Sequence, residues 1–224
     1  MIFAPSPNID EREGKVEFLV MHYTGMPDAQ SAIDLLRSPA AKVSAHYVVD
    51  EDGTTYCLVP EEKRAWHAGI SYWRGRRMLN DASIGIEIVN PGHEWGYRAF
   101  PEAQMAAVEA LSLGILSRHD IHPRNVVAHS DIAPNRKQDP GELFDWRRLA
   151  AAGIGCWNNQ FLDSRDFWGD IAGIGYDVSL PPEDVIRAFQ RHFLPEHLSG
   201  EADGPTVRRA AAIRALVDPS WARG

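Results

Sequence analysis

Two apolar runs limit the folds open to this chain more than anything else in it. Val16-Glu17-Phe18-Leu19-Val20-Met21-His22-Tyr23 is nearly continuous in apolar side chains, and so is Ser83-Ile84-Gly85-Ile86-Glu87-Ile88-Val89. Runs of this kind suit strands buried on both faces. A sheet covered twice needs helices on each side, and segments 28–37, 101–118 and 144–152 have helical character. Segments 45–49 and 54–59 are β-rich and flank Asp50-Glu51-Asp52-Gly53, a strong hairpin signal. Asn125 to Ala128 reads as one more short apolar strand. The expected class is α/β, with a central mixed β-sheet flanked by helices.

Composition shifts near Gly153-Ile154-Gly155-Cys156-Trp157, and from Ser164 onward only helices are expected, over about 164–172, 182–193 and 205–216. Pro181-Pro182-Glu183-Asp184 is a good N-terminal signal, and Val185, Ile186, Phe189 and Phe193 share one stripe. The chain therefore divides, as an expectation, into an α/β unit at 1–157 and a small all-α unit at 158–224.

A net charge of −8 gives no basic footprint for nucleic acid or anionic membrane. No apolar run approaches the ~20 residues that span a bilayer. Met1 to Glu11 lacks the basic and apolar regions of a signal peptide, so a cytoplasmic location is expected, or a periplasmic one if a leader has been removed. Cys57 lies in an apolar run and reads as a small buried side chain; neither it nor Cys156 has metal-ligand spacing.

The chemistry concentrates in Ala128-His129-Ser130-Asp131-Ile132-Ala133-Pro134-Asn135-Arg136-Lys137-Gln138-Asp139-Pro140-Gly141. Its prolines and glycine shape a loop rather than a helix. His129 ends a strand, Asp139 follows ten residues on, and His22 ends another strand. Alone, each is as well explained as a structural residue. Together they make a His/His/carboxylate set, which leaves a fourth position of a zinc site open to water. Glu87 shares a strand face with Ser83 and Gly85, opposite Ile84, Ile86 and Ile88, so it faces a site or a polar layer. A partly buried carboxylate there could act as general base, and the Lys137 ammonium could stabilise an oxyanion. Trp66 and His67 suit either a core anchor or the wall of a sugar or peptide groove. His46 suits a structural strand histidine or a substrate role. His93, His192 and His197 read as surface residues, and Glu61-Glu62-Lys63-Arg64 as a solvated turn.

These residues carry a family resemblance. Met21–Thr24, Val43–Val49, Arg64–Gly69, Asn80–Glu87, Ala128–Pro134 and Lys137–Gly141, in that order, resemble the zinc-dependent N-acetylmuramoyl-L-alanine amidases of the amidase-2 family, relatives of peptidoglycan recognition proteins. The tail resembles a small helical peptidoglycan-binding module through Ala188–Phe193 and the helix at 205–216. The resemblance implies Zn2+ held by His22, His129 and Asp139, with Glu87 and Lys137 as catalytic groups. It also implies substrate contacts at His46, Trp66, His67 and Asn80. The implied substrates are peptidoglycan fragments, muramyl peptides of the 1,6-anhydro kind, cut between the lactyl group and L-alanine. Two other classes stay open: a recognition module without activity, and a zinc peptidase on another amide. The chain has no His-Glu-x-x-His helix, which speaks against the latter.

Overall fold

The computed structural model describes residues 1–220; positions 221–224, the end of the expected C-terminal unit, lie outside them. The strands are β1 (Ile2–Phe3), β2 (Ile9–Glu11), β3 (Phe18–Tyr23), β4 (Tyr47–Val49), β5 (Thr55–Cys57), β6 (Lys63–Ala65), β7 (Tyr72–Trp73), β8 (Arg76–Arg77), β9 (Ser83–Ile88) and β10 (Val126–Ala128). The helices are α1 (Ala29–Arg37), α2 (Gly92–Trp95), α3 (Glu102–Arg118), α4 (His129–Ile132), α5 (Trp146–Ala151), α6 (Phe167–Ile174), α7 (Pro182–Phe193) and α8 (Gly204–Val217). Six strands form one sheet in the order β1-β5-β4-β9-β3-β10. It is mixed as expected: β4 and β5 pair antiparallel through the Asp50–Gly53 hairpin, and the other pairs are parallel.

The alternation of the two central strands decides what lies on each side. Leu19, Met21, Ile84, Ile86 and Ile88 pack with Met105, Val108 and Ile115 of α3 and Leu149 of α5. On the other side, Phe18, Val20 and Val127 pack with Ile171, Ile174, Val185, Phe189 and Ile213 of the C-terminal helices. Val48 meets Ile33 and Leu36 of α1. Helix α1 starts where the Asp28 carboxylate accepts from the Ser31 N–H at 2.8 Å, and α8 where Asp203 accepts from Thr206 N–H at 3.1 Å. The segment from Cys156 to Ser164 has no regular secondary structure, so the 157/158 division falls in an extended connection. The helices beyond it share one apolar cluster with the sheet.

Several local expectations need correction. The first residues of the 128–141 loop close one helical turn, α4, ahead of Pro134. His192 is a buried residue at 2% exposure, paired with Asp131. His192 lies one turn beyond Phe189 on the buried side of α7, where its ring stacks on Trp146 and its Nδ1 meets Asp131 of α4. The charge run at 61–64 is not a solvated turn. Lys63–Ala65 pairs antiparallel with Ile9–Glu11, and the Glu61 carboxylate accepts from Tyr47, Arg118 and His119, each at 2.7 Å. Cys57 is only partly buried because β5 lies near the sheet edge, and both cysteines are free. The hairpin β7–β8 and the two-residue β1 were too short to show a pattern.

Phe189 is fully buried in the cluster shared by sheet and tail. Phe189→Ala should destabilise the whole chain by about 3–5 kcal/mol in a single cooperative transition followed by urea denaturation. Truncation after Asn158 uncovers Phe18, Val20, Val127 and Ile132 and should give an insoluble or partly unfolded product. A truncated chain that melts as sharply as the full one would make the two units energetically independent.

Candidate metal centre

Strand pairing brings distant residues together. Parallel β3 and β9 set His22 directly opposite Glu87. On the other side of β3, β10 pairs Ala128 with Met21, so His129 leaves its strand beside His22. All three sit at the carboxyl ends of parallel strands, the usual place for chemistry in such sheets. The loop then turns back, and the Ser130 N–H donates to the Asp139 carbonyl at 2.9 Å, which seats the Asp139 carboxylate against both imidazoles.

Three ligand atoms converge there. His22 Nδ1 and His129 Nδ1 are 2.9 Å apart, and Asp139 Oδ2 lies 3.1 Å from the first and 3.0 Å from the second. All three residues are buried and form the group among the described residues that could hold a metal ion. The surrounding hydrogen bonds assign the protons. Leu79 carbonyl can only accept, so Ser83 O–H donates to it at 2.7 Å. His67 Nε2–H then donates to Ser83 Oγ at 3.1 Å, and His22 Nε2–H to His67 Nδ1 at 3.0 Å. His129 Nε2–H likewise faces the Ala68 carbonyl at 3.3 Å. Both Nδ1 atoms are left as lone pairs, aimed with a carboxylate oxygen at one point. Three acceptors without a proton among them call for a cation.

The electrostatics agree. Burial, with His129 beside it, pushes the His22 imidazole down to about 4, so it is neutral near pH 7. Burial and the neighbouring His22 push His67 well below its ordinary value. Burial raises the Asp139 carboxyl; a positive charge where the imidazoles converge, carried by His129 or by a bound cation, outweighs it and holds the group well below the usual carboxylate range. Glu87 goes the other way: burial, then Asp139, raises it well above the ordinary value, with Lys137 partly opposing. Glu87 Oε2 is buried with no hydrogen-bond partner.

Glu87 and exposed Lys137 line the same cavity of about 390 Å³ as His129 and Asp139, together with Tyr23, His93 and Trp95. A second cavity of similar size is lined by Asp10, Lys42, Arg64 and Asn80. Trp66, His67, His129, Arg136 and Lys137 border both, so His129 lies where the two meet, with Asp139 on the wall of the first. Trp66 is held by its Nε1–H donating to Asp10 at 2.7 Å. Asn80 Oδ1 accepts from His67 N–H at 3.1 Å and Ala68 N–H at 2.7 Å, so it also fixes the segment carrying His67. His46 is fully buried and lines neither cavity; its Nδ1 accepts from Gly85 N–H at 3.0 Å and its Nε2 faces Arg12 at 3.0 Å. Gly85 is needed because the His67 ring lies on it: an added Cβ would come within 2.5 Å of that ring. Sequence reasoning missed Tyr23, His93, Trp95 and Arg136, whose positions carry no local pattern. It also missed Ser83, whose signal was the polar face it shares with Glu87.

The N-acetylmuramoyl-L-alanine amidase family matches residues 12–142. The N-acetylmuramoyl-L-alanine amidase AmiD of Escherichia coli is 41% identical over 89% of this chain and 82% of its own. Its complex with anhydro-N-acetylmuramic acid-L-Ala-D-γ-Glu-L-Lys superposes at a TM-score of 0.78, covering 94% of this chain and 90% of that one. AmpDh3 of Pseudomonas aeruginosa, 35% identical, superposes at 0.83 over 92% and 93%. The 1,6-anhydro-N-acetylmuramyl-L-alanine amidase AmpD of Escherichia coli is 38% identical but aligns with 57% of this chain and 67% of its own. Together the family match and the AmiD similarity place the chain in the N-acetylmuramoyl-L-alanine amidase family.

Proposed function

We infer that the protein is a zinc hydrolase that cuts the amide between the lactyl group of anhydro-N-acetylmuramic acid and the L-alanine of a stem peptide. The observation that carries this reading is the convergence of two imidazole lone pairs and a carboxylate beside a half-buried Glu87 whose Oε2 is buried without a hydrogen-bond partner. Donors about 2.0–2.1 Å from one tetrahedral ion stand ~3.3 Å apart, close to the spacing here. His22, His129 and Asp139 would hold the ion. A zinc ion there supplies Lewis acidity toward the carbonyl and makes water acidic enough to ionise near pH 7.

Glu87 takes the proton of the attacking water and delivers it to the leaving amine of L-alanine. Its raised affinity for protons suits both halves of that task. Lys137, at the rim of both cavities, places an ammonium toward the developing oxyanion. Trp66 and the two cavities receive sugar and peptide on either side of the scissile bond; His67 and Asn80 border that space while bracing the ligands, and His46 supports the strand below. A recognition-only module would need none of the five polar groups, and all five are present. The solved complexes of AmiD and AmpDh3 with anhydro-muramyl peptides favour a soluble fragment as substrate. Among the described residues no helix is long and apolar enough to cross a membrane. Glycan binding by the tail is a separate proposal, tested by co-sedimentation of an inactive variant with sacculi.

Purified protein should carry one zinc per chain by elemental analysis, and His129→Ala should lose it; full zinc in that variant would refute the ligand set. Glu87→Gln should keep zinc and lose about 10²–10⁴-fold in kcat, and Lys137→Met should fold, bind zinc and turn over slowly. Anhydro-muropeptide should be cleaved much faster than intact sacculi; the reverse order of rates would assign the enzyme to the polymer. The metal-free protein should lose stability as pH falls from 6.5, because burial and Arg12 hold folded His46 down to about 3 while the unfolded imidazole already takes up a proton. His67 acts in the same direction. A urea midpoint unchanged between pH 6.5 and pH about 4 would contradict these neutral buried imidazoles.

A further inference from the structure

The single turn of α4 carries His129 at its start and Asp131 two residues on. Asp131 is fully buried, and neither of its oxygens reaches water. Oδ2 accepts from the Ala128 N–H at 2.8 Å and from His192 Nδ1–H at 2.6 Å. Oδ1 accepts from the Tyr176 hydroxyl at 2.6 Å. Both side-chain donors come from the C-terminal helical segment, 45 and 61 residues further along the chain.

The donors are themselves fixed. The His192 ring stacks on Trp146 and on Phe193, with centroids 3.8 Å away in each case. Tyr176 packs edge-on against Trp73 at 4.9 Å, and Trp73 donates its indole N–H to the Arg124 carbonyl at 3.1 Å. Arg191, next to His192, points its guanidinium at Gln138 Oε1 at 3.5 Å, one residue before Asp139. The same turn reaches the third ligand, because the Ser130 N–H binds the Asp139 carbonyl. A shift of α4 therefore moves two of the three converging donor atoms together. Donor atoms 2.9–3.1 Å apart tolerate little displacement before they cease to address one point.

We propose that Tyr176 and His192 clamp Asp131 and thereby act as positioning residues for the metal ligands His129 and Asp139. The C-terminal segment is thus part of the metal centre's support and not only an outer layer of the fold. This rests on the zinc reading above. It adds that the energy holding the ligand geometry comes in part from outside the segment that the family match covers, residues 12–142.

The test compares Tyr176→Phe, His192→Leu and His192→Asn with Ile213→Val, which loosens the same apolar cluster but offers Asp131 nothing polar. Each is checked for folding by circular dichroism and melting. Zinc dissociation constants are measured by chelator competition, and the absorption spectrum is recorded after loading with Co2+. Tyr176→Phe removes one hydroxyl and should fold. It and His192→Leu should weaken zinc about tenfold or more, as loss of groups that orient ligands does, and should change the Co2+ spectrum. In substrate assays at saturating zinc, kcat should fall with KM little changed. His192→Asn keeps an N–H near the place of Nδ1 and should recover much of the affinity. Ile213→Val should lower the melting temperature and leave the zinc constant unchanged. Wild-type zinc constants and Co2+ spectra in folded Tyr176→Phe and His192→Leu would overturn the clamp while leaving the zinc reading intact. A wild-type protein that binds no zinc would overturn both.

Discussion

The direction of one hydrogen-bond chain governs the rest of the site. A backbone carbonyl at Leu79 can only accept, and that fixes Ser83, then His67, then His22 in turn. The end of the chain is a lone pair at His22 Nδ1, facing another at His129 and the Asp139 carboxylate. A different partner at the far end would reverse the tautomers and place a proton where the ligand atoms meet. The ligand set is therefore defined as much by a serine and a main-chain oxygen as by the ligands themselves.

The sheet explains why the two kinds of carboxylate differ. Asp139 faces the point where two imidazoles converge, and a positive charge there stabilises its anion. Glu87, on the neighbouring strand at the same level, has burial without a donor and holds its proton more tightly. Two acids in one cavity are thus pushed in opposite directions by their immediate contacts. One becomes a permanent charge and the other a group that can give and take a proton.

Much of this was legible in the residues. Both central strands, the Asp50–Gly53 hairpin, α3 and the helices of the tail follow from patterns several residues long, where burial imposes a period. The alternation around Ile84, Ile86 and Ile88 also placed Glu87 on the right face. What escaped was set by partners far away in sequence. The helix of His192 gives no sign of Asp131, and the run at Glu61 gives no sign of Tyr47 or of Arg118 and His119 at the end of α3, which arrive from two other places in the chain. The α4 turn and the strands of two residues were too brief for any periodicity. The cavity lining at Tyr23, His93 and Trp95 depends on how the end of β3 meets the short helix α2, which no local pattern records.

The C-terminal helices turn their apolar side toward Phe18, Val20 and Val127 of the sheet, with Phe189 and Ile213 fully enclosed. A segment anchored in this way is poor material for recombination. Grafted onto another enzyme it would present a greasy underside with nothing to cover it, and a shorter amidase receiving it would first need a matching apolar floor. The boundary between such long and short relatives is then not one that a single insertion could cross: both sides of the seam have to change together.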